Sequence, residues 1–484
     1  MITRCVWAGV VPRRLAAVLL VLGAGLFFAG CAPKRENVVL IVVDTLRADR
    51  LGCYGHDRPT SPFIDGLARR GVLFEQAYAT APWTVPSTAS LMTSLNAREH
   101  GCQHGVIPKD VYGVMGQERL AESFETLAER MKALGYRTYG VSANPFIARE
   151  TGFGQGFDEF RLLWFKDSPE VNRVVATWAE AFRAKRGKPW FLYLHYFDPH
   201  MPYDARYPWF SDFIGTGTIH RLYGGLHYKS WRDRFDGELR GLGGDQQRIA
   251  DYVRTLRPDM LALYDSEIAF VDREIGRLFE QLEIDLDQTT VILTSDHGEE
   301  FFEHGLIVEH GRSLYEAAIR IPLIWSGPHV GAAPGTRIRT PVSHTDIFPT
   351  LAALNGGRPP ANPNVCGIPL TAALSAGAEP PDRTLYFETE RERQAQLYLA
   401  MRDGDWKYTI RADDGDRMYA MLVDLPRDPG ETNNLAGVAG ELAERFDKSL
   451  QTWHKEHPPL VLERVQTHLD EDRLRQLRSM GYLK

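Results

Sequence analysis

The sequence predicts an α/β protein: a largely parallel sheet flanked by helices, followed by a smaller C-terminal α+β domain. Three observations predict it. Continuous apolar runs rich in β-branched residues recur along the chain, amphipathic helical stretches separate them, and polar side chains gather where the runs end.

The first run, Asn37–Val43, is apolar at nearly every position, which suits a strand covered on both faces. Similar runs follow at residues 137–141, Trp190–Tyr196, residues 290–293 and residues 319–325. Helical periodicity between them covers residues 123–134 and 260–282. Residues 204–258, rich in Gly, Arg, Tyr and Trp, interrupt the alternation and read as a long excursion over the substrate edge. A Pro/Gly/Ala-rich linker at residues 356–381 marks the second change. Beyond it, residues 384–389, 397–402 and 407–411 read as short antiparallel strands and residues 438–456 as a helix. The expected domains are therefore a leader (1–30), a catalytic α/β domain (36–380) and a C-terminal subdomain with a helical tail (381–484).

Charge and cysteines narrow the function. The chain has 484 residues and a formal net charge of −7, and removing Arg4, Arg13 and Arg14 of the leader leaves −10. An acidic balance excludes nucleic acid as a partner, since phosphate neutralisation needs a basic face. Arg13 and Arg14 precede an apolar run over residues 15–29 that ends in Ala29-Gly30, the pattern of an export signal. The run is short of the ~20 apolar residues of a spanning helix. Phe28-Ala29-Gly30-Cys31 resembles the lipobox of bacterial lipoproteins, with Phe28 where leucine is usual. That resemblance implies cleavage before Cys31 and its lipidation, hence an exported protein anchored to a membrane in the cell envelope. Cys53, Cys102 and Cys366 show no metal-type spacing, and a Cys53–Cys102 pair has no support from spacing alone.

Strand ends carry the candidate chemistry. Asp44 ends the first run, Asn144 follows the second, His200 follows Trp190–Tyr196, and Asp296-His297 follows the fourth. Ligands of open α/β sheets bind beyond the carboxyl ends of strands, so the four converge on one edge. Asp44 alone reads as a turn or helix cap as readily as a hard-cation ligand. Beside it, a carboxylate and an imidazole in Asp296-His297, with Gly298 allowing close backbone approach, point to a metal site. Thr84 opens a helical stretch with Pro86 in its first turn. It reads as a cap, or as a hydroxyl at a helix N-terminus where negative charge is favoured.

These residues carry a family resemblance. Residues 37–55, 84–87, 295–305, 313–316 and 320–324, Val342-Ser343-His344-Thr345-Asp346, and Asp405-Trp406-Lys407-Tyr408 with Asp424, Asp428, Glu431 and Asn434 are similar, in order, to the successive blocks of the sulfatase family of the alkaline-phosphatase superfamily. The resemblance implies an alkaline-phosphatase-like core. It also implies one divalent metal ion (calcium, zinc or manganese, a second staying open) held by Asp44, Thr84, Asp296 and His297, with Thr84 at the nucleophile position. It gives His200 a catalytic and substrate-contacting role and places Asn144 and His310 among substrate-binding positions. The departures are specific. The family's Cys/Ser-x-Pro-x-Arg signature, whose first residue becomes formylglycine, stands here as Thr84-Val85-Pro86-Ser87-Thr88. Threonine cannot become formylglycine. Thr45 replaces a second aspartate, Asn144 stands near a lost lysine and histidine, and His310 near a lost lysine.

Three functions follow. The first is a metal-dependent hydrolase of sulfate esters; the second is a phosphodiesterase or phosphotransferase with Thr84 as nucleophile. The third is a catalytically weak lipoprotein that binds an anionic glycan or lipid headgroup. The expected partner is thus a sulfated or phosphorylated small molecule, glycan or headgroup. Other residues carry plainer expectations: His195 as a satisfied core histidine, Glu303 and His304 as supports behind the ligands, His344 and Asp346 as braces. Trp209, Tyr223 and Tyr228 are expected to line a substrate groove.

Overall fold

Asn37–Val43, the strand legible first in the sequence, lies inside the largest sheet with Val38–Val43 fully buried. A computed structural model describes residues 36–107, 116–184, 188–214, 228–305, 308–391, 396–413, 416–462, 465–466 and 469–479. Cys31, the leader and Tyr223 fall outside these residues, as does the side chain of Tyr228. Met1–Glu36 separates as one unit and Asn37–Lys484 as the other.

The strands of the main sheet are, in chain order, β1 (Asn37–Val43), β2 (Val72–Tyr78), β3 (Arg137–Ser142), β4 (Glu159–Leu162), β5 (Trp190–Tyr196), β6 (Thr289–Thr294), β7 (Arg320–Ser326), β8 (Thr336–Ile338) and β9 (Val342–Ser343). Their spatial order is β8-β2-β7-β6-β1-β5-β3-β4, with β9 also paired to β2. Every pair is parallel except those of β7, which runs antiparallel to β2 and β6. β1 lies between β5 on one side and β6 on the other, all three parallel, so their carboxyl ends stand side by side on one edge. Ligands of open α/β sheets bind beyond such ends. Alternate side chains of β1 feed two cores: Val39, Ile41 and Val43 join one, Val38, Leu40 and Val42 the other.

The excursion differs from expectation. Helices occupy Trp209–Phe213 and Tyr228–Gly241, and one helix of 37 residues runs from Gln246 to Leu282 through Pro258. Asp245 starts it by accepting from the Gln247 and Arg248 N–H groups. Its first turns are mostly exposed, but Tyr252, Val253, Leu256, Met260 and Leu263 form an apolar stripe that packs on the core, a helical period that begins within residues 204–258, where an irregular excursion was expected. Among the described residues no helix is long and apolar enough to cross a membrane. Cys53, Cys102 and Cys366 are free thiols.

The C-terminal antiparallel sheet has four strands, Leu385–Arg391, Gln396–Asp403, Trp406–Asp413 and Asp416–Asp424, covered by the helix Gly440–Glu456. A buried arginine ties it to the main core. Arg98, 1% exposed, donates to Glu388 Oε2 at 2.8 Å and to the His457 carbonyl at 2.8 Å, and lies 4.5 Å over the Trp453 ring. Arg98→Ala strands the buried Glu388 charge and is expected to destabilise the protein by about 3–5 kcal/mol. Urea denaturation followed by tryptophan fluorescence checks it as a lowered midpoint.

Candidate active site

Asp44 leaves β1 with its N–H donating to the Tyr196 carbonyl at 3.0 Å, so β5 fixes where that carboxylate starts. The next residue, Thr45, takes φ 58°, a left-handed conformation that non-glycine residues adopt under constraint. Two contacts hold it: its N–H donates to Asp296 Oδ1 at 3.2 Å, and the Tyr264 hydroxyl donates to its carbonyl at 2.6 Å. Asp296-His297 leave β6, which neighbours β1 on the other side. Ser295 stitches the two strand ends together, its hydroxyl lying 2.7 Å from the Val43 carbonyl and 2.6 Å from the His297 carbonyl. Gly298 is required here, since a Cβ would sit 2.1 Å from the Ala317 carbonyl oxygen.

Asp44, Asp296 and His297 are fully buried, and one ligand atom from each falls within 4.8 Å of the others. Thr84 is the first residue of a buried helix, Thr84–Thr93, with Trp83 at the cap position, one residue earlier than expected. Its Oγ1 lies 3.3 Å from His297 Nε2. The Asn144 side-chain amide bridges the group, donating to Asp44 Oδ2 at 2.8 Å and to Thr84 Oγ1 at 3.2 Å. Five sequence candidates (Asp44, Thr84, Asn144, Asp296 and His297) thus meet in one pocket.

His310 and His200 continue the line. The His310 ring lies 4.4 Å from that of His297, and the His200 ring 4.9 Å from that of His310. His200 stacks on Phe197 at 4.4 Å and its Nδ1 lies 2.6 Å from the Met201 carbonyl. Burial pushes His200 down to about 3, with His310 adding to it, and burial pushes His310 down to about 4. Both rings are therefore neutral at pH 7 in the resting site.

The carboxylates behave differently. Burial, then the nearby Asp296 charge, hold the Asp44 carboxyl well above its usual range. Burial also opposes the Asp296 charge, but His297 and His195 outweigh it and hold Asp296 below its usual range. Two acids this close do not both ionise comfortably without a cation between them. Asp44 Oδ1 and Asp296 Oδ2 are buried without a hydrogen-bond partner, and among the described residues their ion-pair partners are only His195 and His297. Two orphaned carboxylate oxygens beside an imidazole nitrogen fit a divalent metal ion.

Sequence reasoning missed Glu299, Arg47 and the placement of His195. Glu299 is fully buried, accepts from the Tyr203 hydroxyl at 3.0 Å, and lies 3.1 Å from His310 Nδ1. Burial raises it to about 7. Its adjacency to Asp296-His297 was the available signal. Arg47 donates to the Glu299 carbonyl at 2.9 Å and to Glu303 Oε1 at 2.7 Å, which links Glu303 to Glu299. His304 instead stacks on Tyr315 at 3.4 Å, with Nε2 3.1 Å from the Gly430 carbonyl and Nδ1 3.4 Å from Glu300 Oε1. His344 braces Thr80, and Asp346 accepts from Ser343, Ile368 and Arg383. Trp209 is covered by the Arg273 guanidinium at 4.7 Å.

Asn144 donates to Thr84 Oγ1, the oxygen that carries negative charge when Thr84 is deprotonated and again when it is expelled from an adduct. Asn144→Ala is expected to lower kcat by about 10²–10³-fold with KM nearly unchanged, as for other preorganised donors. Steady-state kinetics with any turned-over ester check it.

Residues 36–357 match the Sulfatase family. Arylsulfatase K of Xenopus laevis is 25% identical over 464 residues, covering 86% of this chain and 82% of that protein. The structure of a protein bound to its substrate, D-glucosamine-2-N,6-O-disulfate, superposes with a TM-score of 0.66 at 20% identity, covering 88% of this chain and 98% of the other. The phosphonate monoester hydrolase of Agrobacterium radiobacter superposes with a TM-score of 0.65 at 20% identity, covering 90% and 100%. With the α/β core, the strand-end site and these likenesses in place, the chain belongs to the sulfatase family and is an ester hydrolase of that family.

Proposed function

We infer that the protein is a metal-dependent hydrolase of sulfate esters that uses the Thr84 hydroxyl as its nucleophile. The observation that carries this reading is the convergence of Thr84 Oγ1, at a helix N-terminus, with His297 Nε2 and the Asn144 amide beside two orphaned buried carboxylate oxygens. Asp44, Asp296 and His297 would hold a divalent metal. Bound there, it supplies positive charge against the ester oxygens and favours loss of the Thr84 proton.

The chain's residues then divide the work. Thr84 Oγ1 attacks sulfur and the bond from sulfur to the leaving oxygen breaks, while the proton Thr84 gives up passes by way of the neutral His310 and His200 rings to the departing alcohol. Water next attacks the threonine sulfate, releasing sulfate and restoring the hydroxyl. No formylglycine is needed, because the adduct leaves by displacement at sulfur. Asn144 steadies the Thr84 oxygen, and the neutral His200 and His310 rings face the leaving group and water, where protons move. Glu299 orients His310 through Nδ1.

A phosphodiester carries the same single charge as a sulfate monoester, and a phosphothreonine hydrolyses in the same two steps. This supports a second reading as a phosphodiesterase, along with the fold shared with a phosphonate monoester hydrolase. The fold shared with proteins whose structures hold a glucosamine disulfate or a neocarrahexaose supports a sulfated glycan as the substrate class.

Assays of the purified protein with an aryl sulfate, an aryl phosphate monoester and a phosphodiester, each under zinc, manganese and calcium, test this reading. Turnover is expected with a singly charged ester and to vanish with chelator. Fastest turnover of the phosphate monoester would refute it, and metal binding without turnover would favour a binding role. Export and lipid anchoring through Cys31 rest on the sequence pattern. Metabolic labelling with an alkyne fatty acid is expected to mark the wild type and not Cys31→Ser.

A further inference from the structure

Trp83 stands where a helix start favours a different residue. It occupies the cap position of the helix Thr84–Thr93 with extended backbone and no side-chain hydrogen bond to the helix. Serine, threonine, aspartate and asparagine are preferred there, because their side-chain oxygens accept from the first helical N–H groups. Its burial is also out of step: of residues 77–98, Trp83 alone is not buried. A large ring left half-exposed beside the buried Thr84 serves neither the helix nor the core in full, and such departures from local rules gather at functional sites.

Three chain segments enclose the indole, and each delivers a residue of the site. Thr84 follows it directly. Phe146 meets it edge-on, with ring centroids 6.5 Å apart and planes at 80°. The Phe146 N–H donates to the Asn144 side-chain oxygen at 3.0 Å, so that ring and the Asn144 amide come from one turn. The Gly311 N–H donates to the Pro82 carbonyl at 2.9 Å, and a Cβ on Gly311 would lie 3.5 Å from Trp83 Cβ. His310, the residue before Gly311, continues the line of rings from His297 to His200. The indole thus borders the space that the remainder of an ester fills when its sulfur or phosphorus lies at Thr84 Oγ1.

We propose that Trp83 is a specificity-determining residue whose indole is the surface on which the leaving group rests. It would select esters whose alcohol presents the flat apolar face of a ring, aryl or sugar, over open-chain alkyl esters. The proposal rests on the reading of Thr84 as the nucleophile and extends it to the leaving group. An aromatic face attracts rings and C–H edges through its quadrupole, and tryptophan offers the largest such face at low conformational cost. The edge-on Phe146 ring holds the indole in place. The contact is made alike before and during reaction, so it acts on binding more than on the chemical step.

Steady-state kinetics of wild type, Trp83→Ala and Trp83→Phe with 4-nitrophenyl sulfate test this, with glucose 6-sulfate and ethyl sulfate as competing ligands. Trp83→Ala is expected to raise KM for the aryl ester about tenfold and to change kcat by less than about twofold, while Trp83→Phe recovers most of the loss. The Ki of glucose 6-sulfate is expected to rise by a similar factor, and that of ethyl sulfate, which has no ring, by less than about twofold. Equal losses for all three esters, or a fall in kcat with KM unmoved, would overturn the proposal and leave Trp83 a support for Thr84. If Trp83→Ala does not fold, Trp83→Leu replaces it, with the same ranking expected. Where no ester is turned over, the same three esters are titrated calorimetrically into both proteins with zinc present. A ring preference that the substitution abolishes then carries the proposal while the hydrolase reading fails. Wild type that binds ring and open-chain esters equally overturns the role of Trp83, and wild type that binds none of them overturns both.

Discussion

Thr84→Ala is expected to lower kcat by on the order of 10⁴-fold, about 5.5 kcal/mol of transition-state stabilisation. The site offers no substitute. Ser87, one turn along the same helix, is the nearest hydroxyl in sequence, and it is committed to the Asp296 carbonyl. Asn144 would still donate to Asp44, so the carboxylate pair keeps its geometry. Residual turnover would come from the charge and positioning that remain. Stopped-flow kinetics of the purified variant, with bound metal counted in the same sample, separate loss of the nucleophile from loss of the ion.

Asp296→Asn is the second large effect, and metal enlarges it. In the apoprotein His297 and His195 hold the Asp296 carboxyl below its usual range, so its charge stabilises the fold at neutral pH and the melting temperature is expected to fall modestly. With metal the loss grows. An ion at a thousand times its Kd stabilises the wild type by about 4 kcal/mol. If the substitution raises Kd about 100-fold, a loss that even groups behind the ligands cause, the same ion stabilises the variant by only about 1.4 kcal/mol. Differential scanning fluorimetry with and without zinc reads both halves. A variant that binds zinc as tightly as the wild type would remove Asp296 from the ligand set.

How far the sequence was legible depended on burial. β1 and β5 were bounded to the residue because both faces of each are covered and nearly every position had to be apolar. β2 escaped notice because Glu75 and Gln76 sit in it half-exposed, near the margin of the sheet, where polar residues are tolerated. Asp416–Asp424 was missed for the same reason: its first half is exposed.

The site was legible where chemistry and strand ends coincide. Asp44, Asn144, Asp296 and His297 each follow a strand, and the adjacent parallel strands β6, β1, β5 and β3 bring them to one edge. Thr84 was found by family position, not by strand logic, since a helix presents it. His195 and Glu299 were harder. His195 looks like packing until Val42 of β1 is seen beside it and its Nε2 is seen to face Asp296. A polar pair two residues apart in an apolar strand, Tyr193 and His195, was the signal present. Asp198 shows the converse. It follows a strand end yet accepts from Ser168 and Arg206.

The central claim is that Thr84 becomes covalently modified during turnover, and rapid-quench mass spectrometry of the Thr84 peptide tests it most directly. Acid quenching within the first turnover is expected to show one sulfuryl or phosphoryl group on Thr84 in the wild type. Thr84→Ala, quenched in parallel, should carry no adduct and release almost no product. Product formed by Thr84→Ala at the wild-type rate, or the group trapped on another residue, would contradict the account.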